Sequence, residues 1–309
     1  MPVSVVRDPL FRRHLPGPRH PESPSRLGAI DAALAERQGL RLIEVPARAA
    51  TTEELLLVHR AGYLQSFAET RGRSVVLDPD TRTSPETYDA ALLAAGGAID
   101  LALGVARGTT PPGIALVRPP GHHATPDTAM GFCFLNNVAI AARALIAAGL
   151  AKKVAIYDFD VHHGNGTEAV FYEDPAVLFM STHQWPLYPG TGEAHRRGAG
   201  AGLGTTINVP LPAGSGDREI RAAFEERLAP AVREFGPDFI LLSAGFDGFV
   251  DDPLGGFTIS VEGFAEIARS WKALAVELCG GRIAATLEGG YDLAGLGRSV
   301  AAFLEAWER

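Results

Sequence analysis

The stretch Lys153-Val-Ala-Ile-Tyr-Asp-Phe-Asp-Val-His-His163 joins an apolar half to a polar end. The apolar half is rich in β-branched residues and uninterrupted, which is typical of a strand covered on both faces. Beyond it Asp158, Asp160 and His162 alternate with apolar residues, so at the strand period of two their side chains share one face. The stretch therefore predicts a buried strand of a parallel sheet that ends in a polar site.

Other segments of four to six residues have the same apolar, β-branched character, and helical stretches lie between many of them. Strands that alternate with helices predict an α/β fold with a mostly parallel sheet and helices on both faces. The predicted strands are 3–6, 41–45, 114–117, 153–158, 177–181, 205–209, 239–243 and 283–287. Helix starts are predicted at Thr51 with Glu54, at Ser84 before Pro85 with the helix running toward Arg107, at Asp217 and at Ser260.

The composition indicates one globular domain. The chain has 309 residues, of which 46% are hydrophobic and 21% charged, so disorder, collagen-like sequence and coiled coil are excluded. No repeat or low-complexity linker divides residues 1–309, and the Gly-rich stretch 190–204 is predicted as a loop, not a dinucleotide-binding turn, because no helix follows it. Acidic residues exceed basic ones by 36 to 28, which disfavours a nucleic-acid partner.

Two cysteines, Cys133 and Cys279, lie far apart and form no CxxC pair, so we expect neither a disulfide framework nor a cysteine zinc site. The apolar run after Met1 is too short for a signal peptide, and no stretch approaches the roughly 20 uncharged apolar residues of a membrane span. We therefore expect a soluble cytoplasmic protein with no membrane partner.

Four predicted strands end in polar clusters. In a parallel sheet ligands bind outside the carboxyl ends of the strands, so these clusters are expected to converge on one site. The clusters are 117–123, 157–166, 242–248 and 287–291.

A metal explains the second of these clusters. Two carboxylates and an imidazole on one buried face are costly unless a cation holds them. Asp160 and His162 would supply an oxygen and a nitrogen ligand and Asp247 a third, which leaves an open position as in catalytic zinc sites. The alternative is an Asp–His network that only ties loops together.

His122 and His123 follow a rigid Pro-Pro-Gly turn. Adjacent residues on extended backbone point apart, so the pair is predicted to supply two separate imidazoles, one a general base beside the metal. Tyr291 follows two glycines that let its phenol turn inward and donate to a developing oxyanion. The remaining candidates are interpreted as ordinary core histidines, namely His59, His183 and His195, with His163 facing away from His162.

These motifs resemble the histone deacetylase family, including its bacterial amidohydrolases and the acetylpolyamine amidohydrolases. The resemblance spans nearly the whole chain, with several motifs in the family's order. They are His20–Leu27, Val58–Leu64, Ala90–Gly97, Arg118–Ala124, Gly131–Asn137, Asp158–Gly166, Tyr188–Gly192, Ser243–Gly248 and Glu288–Tyr291.

The resemblance implies a single-domain, arginase-like α/β/α sandwich around an eight-stranded sheet, with Asp160, His162 and Asp247 as zinc ligands. Fe²⁺ or Co²⁺ can occupy the same ligands. A metal there would polarise the acyl carbonyl and lower the pKa of its bound water to about 7.

The same resemblance gives each remaining residue a role. His123 would be general base and then acid, paired with Asn165, as in the class II branch. His122 would be mainly electrostatic, with Asp158 as its partner. Tyr291 would stabilise the tetrahedral oxyanion.

Family members also hold potassium beside the zinc. The matching positions are Asp158, Asp160, His162, Ser181 and Thr182, the last two through backbone or hydroxyl oxygen. A monovalent cation there would offset the carboxylate charge.

The family's acyl channel corresponds here to Gly131, Phe132 and Tyr188, the last a departure from the usual phenylalanine. Leu254 stands where a polyamine-selective branch has glutamate, which removes one attraction for a cationic polyamine. Arg26 matches a residue of an internal exit path, with a structural salt bridge as the alternative.

The leading hypothesis is a zinc-dependent deacylase acting on acetyl-lysine or a related N-acyl amine, as a small molecule or in a peptide. An acetylpolyamine amidohydrolase is the second hypothesis, compatible with the net charge of −8. A catalytically silent acyl-ligand or metal-binding regulator is the third.

Overall fold

The strands form one eight-stranded sheet in a computed structural model that describes residues 2–308. All eight predicted strands are confirmed, and every neighbouring pair is parallel, in the order β2-β1-β3-β8-β7-β4-β5-β6. The strands are β1 Val3–Val6, β2 Leu42–Val45, β3 Gly113–Ala115, β4 Val154–Asp158, β5 Val177–Gln184, β6 Thr206–Leu211, β7 Phe239–Ala244 and β8 Ile283–Leu287.

Four strand ends differ from the predicted ones, those of β6 and β7 by two residues and one residue, and those of β3 and β5 as follows. β3 ends at Ala115, two residues early, because the chain then leads into the turn that carries the paired histidines. β5 continues three residues further, to Gln184, because its pairing with β6 extends to Leu211. The Gly-rich stretch 190–204 is a loop, as predicted, with a 3₁₀ turn at Gly200–Gly202.

Helices cover the sheet in two layers. α10 packs against both α1 and α9, while α4 packs against α5 and against strands of the sheet. The α-helices are α1 Ser25–Ala35, α2 Thr52–Leu55, α3 Ala61–Ala68, α4 Thr87–Ala106, α5 Asn137–Ala147, α6 Asn165–Phe171, α7 Asp217–Ala223, α8 Ala229–Phe235, α9 Val261–Cys279 and α10 Leu293–Glu308. A 3₁₀ helix at Pro9–Arg13 follows β1, and a π-helical turn at Phe224–Leu228 joins α7 to α8.

Two predicted helix starts are confirmed. Thr51 and Glu54 form both hydrogen bonds of a capping box at α2. The Ser260 hydroxyl accepts a hydrogen bond from the Gly263 N–H at the start of α9.

The other two predicted starts are wrong, by two residues at α4 and by one residue at α7. α4 begins at Thr87, because the Ser84 hydroxyl accepts a hydrogen bond from the backbone N–H of Leu15 instead of capping the helix. Asp217 is the first residue inside α7, and its carboxylate accepts hydrogen bonds from the backbone and hydroxyl of Ser260. In both cases the side chain forms hydrogen bonds with a segment that is distant in the sequence instead of capping its own helix.

α4 is long and apolar enough, by length and composition alone, to cross a membrane. It carries Asp89 and Asp100, and most of its residues are buried against α5 and the sheet. It is therefore the core helix of this domain.

The site lies where the central strands end. β3, β8, β7 and β4 are consecutive neighbours in the sheet, and the four polar clusters follow these four strands. Their carboxyl ends lie on one edge because all pairs are parallel.

Candidate active site

Three side chains from two strand ends bring donor atoms together. The donor atoms of Asp160, His162 and Asp247 all lie within 4.8 Å of one another. His162 Nδ1 is 3.1 Å from Asp160 Oδ1 and 3.1 Å from Asp247 Oδ2. Both carboxylates are completely buried, so two oxygens and one nitrogen face a common point in a low-dielectric environment.

Backbone donors fix the directions of these carboxylates. The Gly289 N–H donates to Asp160 Oδ2 at 2.8 Å, and the Val161 N–H donates to Asp247 Oδ1 at 2.9 Å. A side-chain carbon at Gly289 would overlap both carboxylates, so only glycine allows this approach. The oxygens left over point at His162, which fits a divalent cation bound by one nitrogen and two oxygens.

The electrostatics of the cluster also require a positive charge. Burial, together with the neighbouring Asp160, raises the pKa of Asp247 to about 7. Burial opposes charge on His162, but its bonds to the two carboxylates outweigh burial and raise its pKa to about 10. The two buried carboxylates are therefore stabilised by positive charge beside them, which either a proton on His162 or a bound cation can supply.

The paired histidines have different partners. The His122 Nδ1–H donates to Asp158 Oδ2 at 2.9 Å, and the His123 Nδ1–H donates to Asn165 Oδ1 at 2.7 Å. Burial opposes charge on His122, but Asp158 and Asp160 raise its pKa well above the usual value. Burial and the neighbouring His122 hold the pKa of His123 well below its usual value, so His123 is the neutral imidazole at neutral pH.

Tyr291 lies against an arginine and a phenylalanine. Its ring is edge-on to Phe132, with centroids 5.9 Å apart, and the Arg26 guanidinium carbon is 5.1 Å from its ring centroid. The Asp252 carboxylate accepts a hydrogen bond from the Tyr291 N–H at 2.6 Å and so holds this turn. Burial raises the pKa of the phenol, which keeps it protonated and able to donate.

One cavity of about 260 Å³ joins these groups. It is lined by the predicted channel residues Gly131, Phe132, Tyr188 and Leu254 together with His123, His162 and Tyr291. A side-chain carbon at Gly131, whose φ is +55°, would overlap the His123 ring, so glycine lets the channel wall pass directly over the imidazole. The Tyr188 ring is edge-on to His123 at 5.2 Å and 39% exposed, so it forms part of the rim.

Asp80 and Leu187 also line this cavity, and sequence reasoning missed both. Asp80 follows no strand, and Leu187 follows β5 but is apolar, so a search for polar side chains at strand ends finds neither residue. Burial and the nearby Asp78 raise the pKa of Asp80. The only available signal was the Asp78-Pro-Asp80 turn sequence, which is common in loops of every kind.

The other histidines are mostly structural. His59 Nε2 accepts from the Asn136 N–H, and His183 is buried between Ser181 and Gly192. The buried His163 turns away from His162, and its two ring nitrogens form hydrogen bonds with Thr191 and Glu168. The interpretation of His195 as a core residue is wrong, because it is exposed on the Gly-rich loop.

The five positions matched to a potassium site are all in or beside β4 and β5. Asp158 and Ser181 are register partners on the two strands. The Ser181 hydroxyl bonds His183 and the Thr182 hydroxyl bonds Tyr157, so both hydroxyls already have protein partners.

Arg26 is fully buried and forms a salt bridge with Glu22 at 3.1 Å. It also donates to the backbone carbonyls of Glu288 and Gly290, and so supports the segment that leads to Tyr291. The structural salt bridge weighed for Arg26 is therefore present.

Both cysteines are free, as expected. The expectation that the chain has no cysteine zinc site stays a prediction. Donor atoms of His122, Cys133 and Glu288 also lie within 4.8 Å of one another. Their distance along the chain hid this group, which the fold assembles behind the paired histidines.

Comparisons with known proteins agree with this geometry. A sequence profile described as the histone deacetylase domain matches residues 20–307. The chain is 44% identical over 301 residues to histone deacetylase 10, chloroplastic, of Oryza sativa subsp. japonica, covering 91% of this chain and 68% of that protein. It is 40% identical over 298 residues to a probable deacetylase of Archaeoglobus fulgidus, covering 96% of this chain and 83% of that protein.

The fold is also similar to a solved structure. The crystal structure of the HDA15 HD domain superposes with a TM-score of 0.94 and 38% sequence identity. The match covers 99% of this chain and 91% of that chain.

Proposed function

The chain belongs to the histone deacetylase family and is a hydrolase of the deacetylase type, and we propose that it is a zinc-dependent amidohydrolase. Its substrate would be an N-acylated amine, such as acetyl-lysine, from which it removes an acetyl or other short acyl group. The observation that carries this proposal is the single cavity that reaches His162 of the donor cluster, His123 and Tyr291 together. Metal-assisted amide hydrolysis uses a cation, a base and an oxyanion donor at one carbonyl.

Asp160, His162 and Asp247 would hold the metal. One nitrogen and two carboxylate oxygens match the three-ligand sets of catalytic zinc. A bound divalent cation supplies Lewis acidity, which polarises an acyl carbonyl and makes water more acidic. Fe²⁺ and Co²⁺ can bind the same donor atoms, so the bound metal is identified by measuring the metal content of the purified protein.

His123 would take and return the proton. Its Nδ1–H is held by Asn165, which leaves Nε2 as the acceptor facing the cavity. Because its pKa is lowered, His123 is ready to accept a proton from water at neutral pH. The protonated ring can then donate to the leaving amine.

His122 would act as a fixed positive charge. Its bond to Asp158 keeps it protonated, and its ring centroid lies 4.0 Å from that of His123. The charge disfavours early protonation of His123 and favours negative charge on the substrate oxygen. Tyr291 would donate its phenol O–H to that oxygen.

Potassium is proposed for the positions at the ends of β4 and β5. Backbone oxygens would be the ligands from Ser181 and Thr182, because both hydroxyls have other partners. A monovalent cation there would offset the buried charge of Asp158, whose pKa is raised by burial.

The cavity walls favour a neutral acyl-lysine side chain over a free polyamine. Phe132 and Leu254 line an apolar passage that suits the methylene stem of lysine. Asp80 is a carboxylate on the same wall, and it keeps the acetylpolyamine hypothesis open because it can attract an ammonium group.

A substrate screen tests the proposal. Purified protein loaded with zinc is assayed with acetyl-lysine peptides, acetylated polyamines and longer acyl-lysines, with Asp247→Ala as the background. We expect the highest kcat/KM for acetyl-lysine peptides. A higher value for acetylpolyamines would select the second hypothesis, and no turnover of any substrate would favour a silent acyl-ligand or metal-binding protein.

A further inference from the structure

Glu288 is a buried carboxylate, directly after β8, that no step of the proposed reaction uses. Its Oε2 accepts hydrogen bonds from the backbone N–H of Gly121 at 2.6 Å and of His122 at 3.1 Å. Its Oε1 is buried and has no hydrogen-bond partner within residues 2–308. All of the hydrogen bonding of this side chain is therefore directed at the turn that carries the two histidines.

Two segments of the chain hold the turn that carries His122 and His123. A side-chain carbon at Gly121 would lie 2.6 Å from the backbone nitrogen of Asn137 and 2.7 Å from the carbonyl oxygen of Leu135, so the turn packs directly on that segment. On the other side the carboxylate of Glu288 accepts from both N–H groups. Two successive backbone donors on one oxygen set the orientation of the peptide planes between them.

Glu288 is itself fixed to the rest of the site. Its carbonyl accepts from Arg26, and the next residue, Gly289, donates to Asp160. Tyr291 follows three residues later. The side chain of Glu288 thus joins the turn of the histidines to the segment that holds both a donor carboxylate and the phenol.

We infer that Glu288 is a positioning residue, whose acceptor oxygen sets the placement of His122 and His123 relative to the donor cluster and Tyr291. Without this acceptor two backbone N–H groups would be buried and unpaired, and the turn would move to find other partners. Misplacement by about 1 Å costs roughly 10²-fold in rate. The effect on turnover rests on the proposed function, whereas the placement of the turn does not.

The acceptor, not the charge, carries this role. Burial raises the pKa of Glu288 to about 7, so the group is partly neutral near physiological pH. Oε2 can accept both hydrogen bonds in either state when the proton resides on Oε1. A neutral side chain of the same shape with one acceptor oxygen is therefore expected to replace it.

Two variants separate acceptor from charge. Glu288→Gln keeps an oxygen for the two N–H groups, whereas Glu288→Met keeps the volume and removes the acceptor. Both remove the charge, so their difference isolates the hydrogen bonds. We expect kcat of Glu288→Met to lie about 10- to 100-fold below that of Glu288→Gln. KM and bound metal should change less than about threefold, because neither contact involves the channel or the metal donors.

A second readout is independent of turnover. The Nδ1 proton of His122, held against Asp158, should give a downfield proton NMR signal, assigned by its loss in His122→Ala. We expect this signal to be kept in Glu288→Gln and to shift or broaden in Glu288→Met. If the parent has no turnover, the proposed function fails, while this signal still tests the placement of the turn.

Glu168→Met is the matched control. Glu168 is also buried and bonds a histidine, His163, but it does not touch the turn. We expect the kcat of Glu168→Met and the His122 proton signal of this variant to stay close to those of the parent at temperatures below unfolding. Equal kcat and an unchanged signal in Glu288→Gln and Glu288→Met would overturn the proposal, as would an equal loss in both Glu288 variants or in Glu168→Met.

Discussion

Tyr291→Phe removes one hydroxyl and leaves the surroundings of the ring intact. The aromatic contact with Phe132 and the approach of Arg26 to the ring face do not involve the hydroxyl. No residue within 2–308 forms a hydrogen bond with that hydroxyl, so its removal leaves no buried protein group unpaired. The free energy of unfolding should therefore change by less than about 1 kcal/mol.

The effect on the reaction is expected to be much larger. The raised pKa keeps the phenol protonated throughout the neutral range, so it is always available to donate. The oxyanion exists only after water attacks, so the hydrogen bond acts on the transition state and not on the bound substrate. Loss of one oxyanion donor costs about 2.7–4 kcal/mol, which is roughly 10²–10³ in kcat.

Steady-state kinetics with an acetyl-lysine peptide provide the assay, with metal content and thermal unfolding measured on the same samples. We expect kcat to fall by roughly 10²–10³, while KM changes a few-fold and the metal content stays that of the parent. A kcat within a few-fold of the parent would refute the oxyanion role of Tyr291. Loss of metal in this variant would instead show that the ring, and not the hydroxyl, supports the donor cluster.

Further predictions concern specificity and pH. Leu254→Glu should raise kcat/KM for acetylpolyamines relative to acetyl-lysine peptides, because it adds a carboxylate to the channel wall; an unchanged ratio would argue against this. The acid limb of the pH profile of kcat/KM should lie below pH 6.5, because burial lowers the pKa of His123. Asn165→Asp should move that limb to higher pH, because a carboxylate beside Nδ1 favours the protonated ring. A limb that stays in place would exclude His123 as the titrating base. Burial lowers the pKa of His59 to about 4, so below pH 6.5 this side chain takes up a proton only when the protein unfolds, and the free energy of unfolding should fall as pH falls from 6.5 toward 4. The side chain of His59→Gln can still accept from the Asn136 N–H, and denaturant unfolding of this variant should show a smaller loss of stability over the same pH range.

The fold could be predicted from sequence because apolar, β-branched segments are local signals. The run at Val154–Asp158 is buried on both faces and could form only an inner strand of a parallel sheet. Strand-end reasoning then brought Asp160 and Asp247 to one edge, although they are far apart in the chain. Resemblance to known motifs added Asn165 as the partner of His123, whereas Tyr291 was already indicated by the two glycines before it.

The parts that could not be predicted depend on tertiary contacts. Ser84 and Asp217 have cap-forming side chains, but segments distant in sequence take their hydrogen bonds. His195 is an exception, because it lies within the Gly-rich stretch 190–204 that the sequence already predicts as a loop, and its exposure follows from that prediction. Asp80 reaches the cavity from a loop, where the rule of strand ends does not apply.

Glu288 shows a different limit. Its position after β8 was visible in the sequence, but its function follows from which backbone groups face it. Backbone donors have no residue type, so no motif can reveal them. The group formed by His122, Cys133 and Glu288 was hidden for a different reason, because its members are far apart in the chain and only the fold brings them together.

The most direct test of the central claim is turnover of an acetyl-lysine peptide as a function of bound metal. The parent is stripped with a chelator and titrated with Zn²⁺, and metal content is measured at each point. We predict that activity is lost with the metal and returns in proportion to one equivalent, and that Asp247→Ala retains neither metal nor turnover. Turnover by the metal-free parent at the original rate, or full metal retention by Asp247→Ala, would contradict the assignment of this cluster as the catalytic metal site.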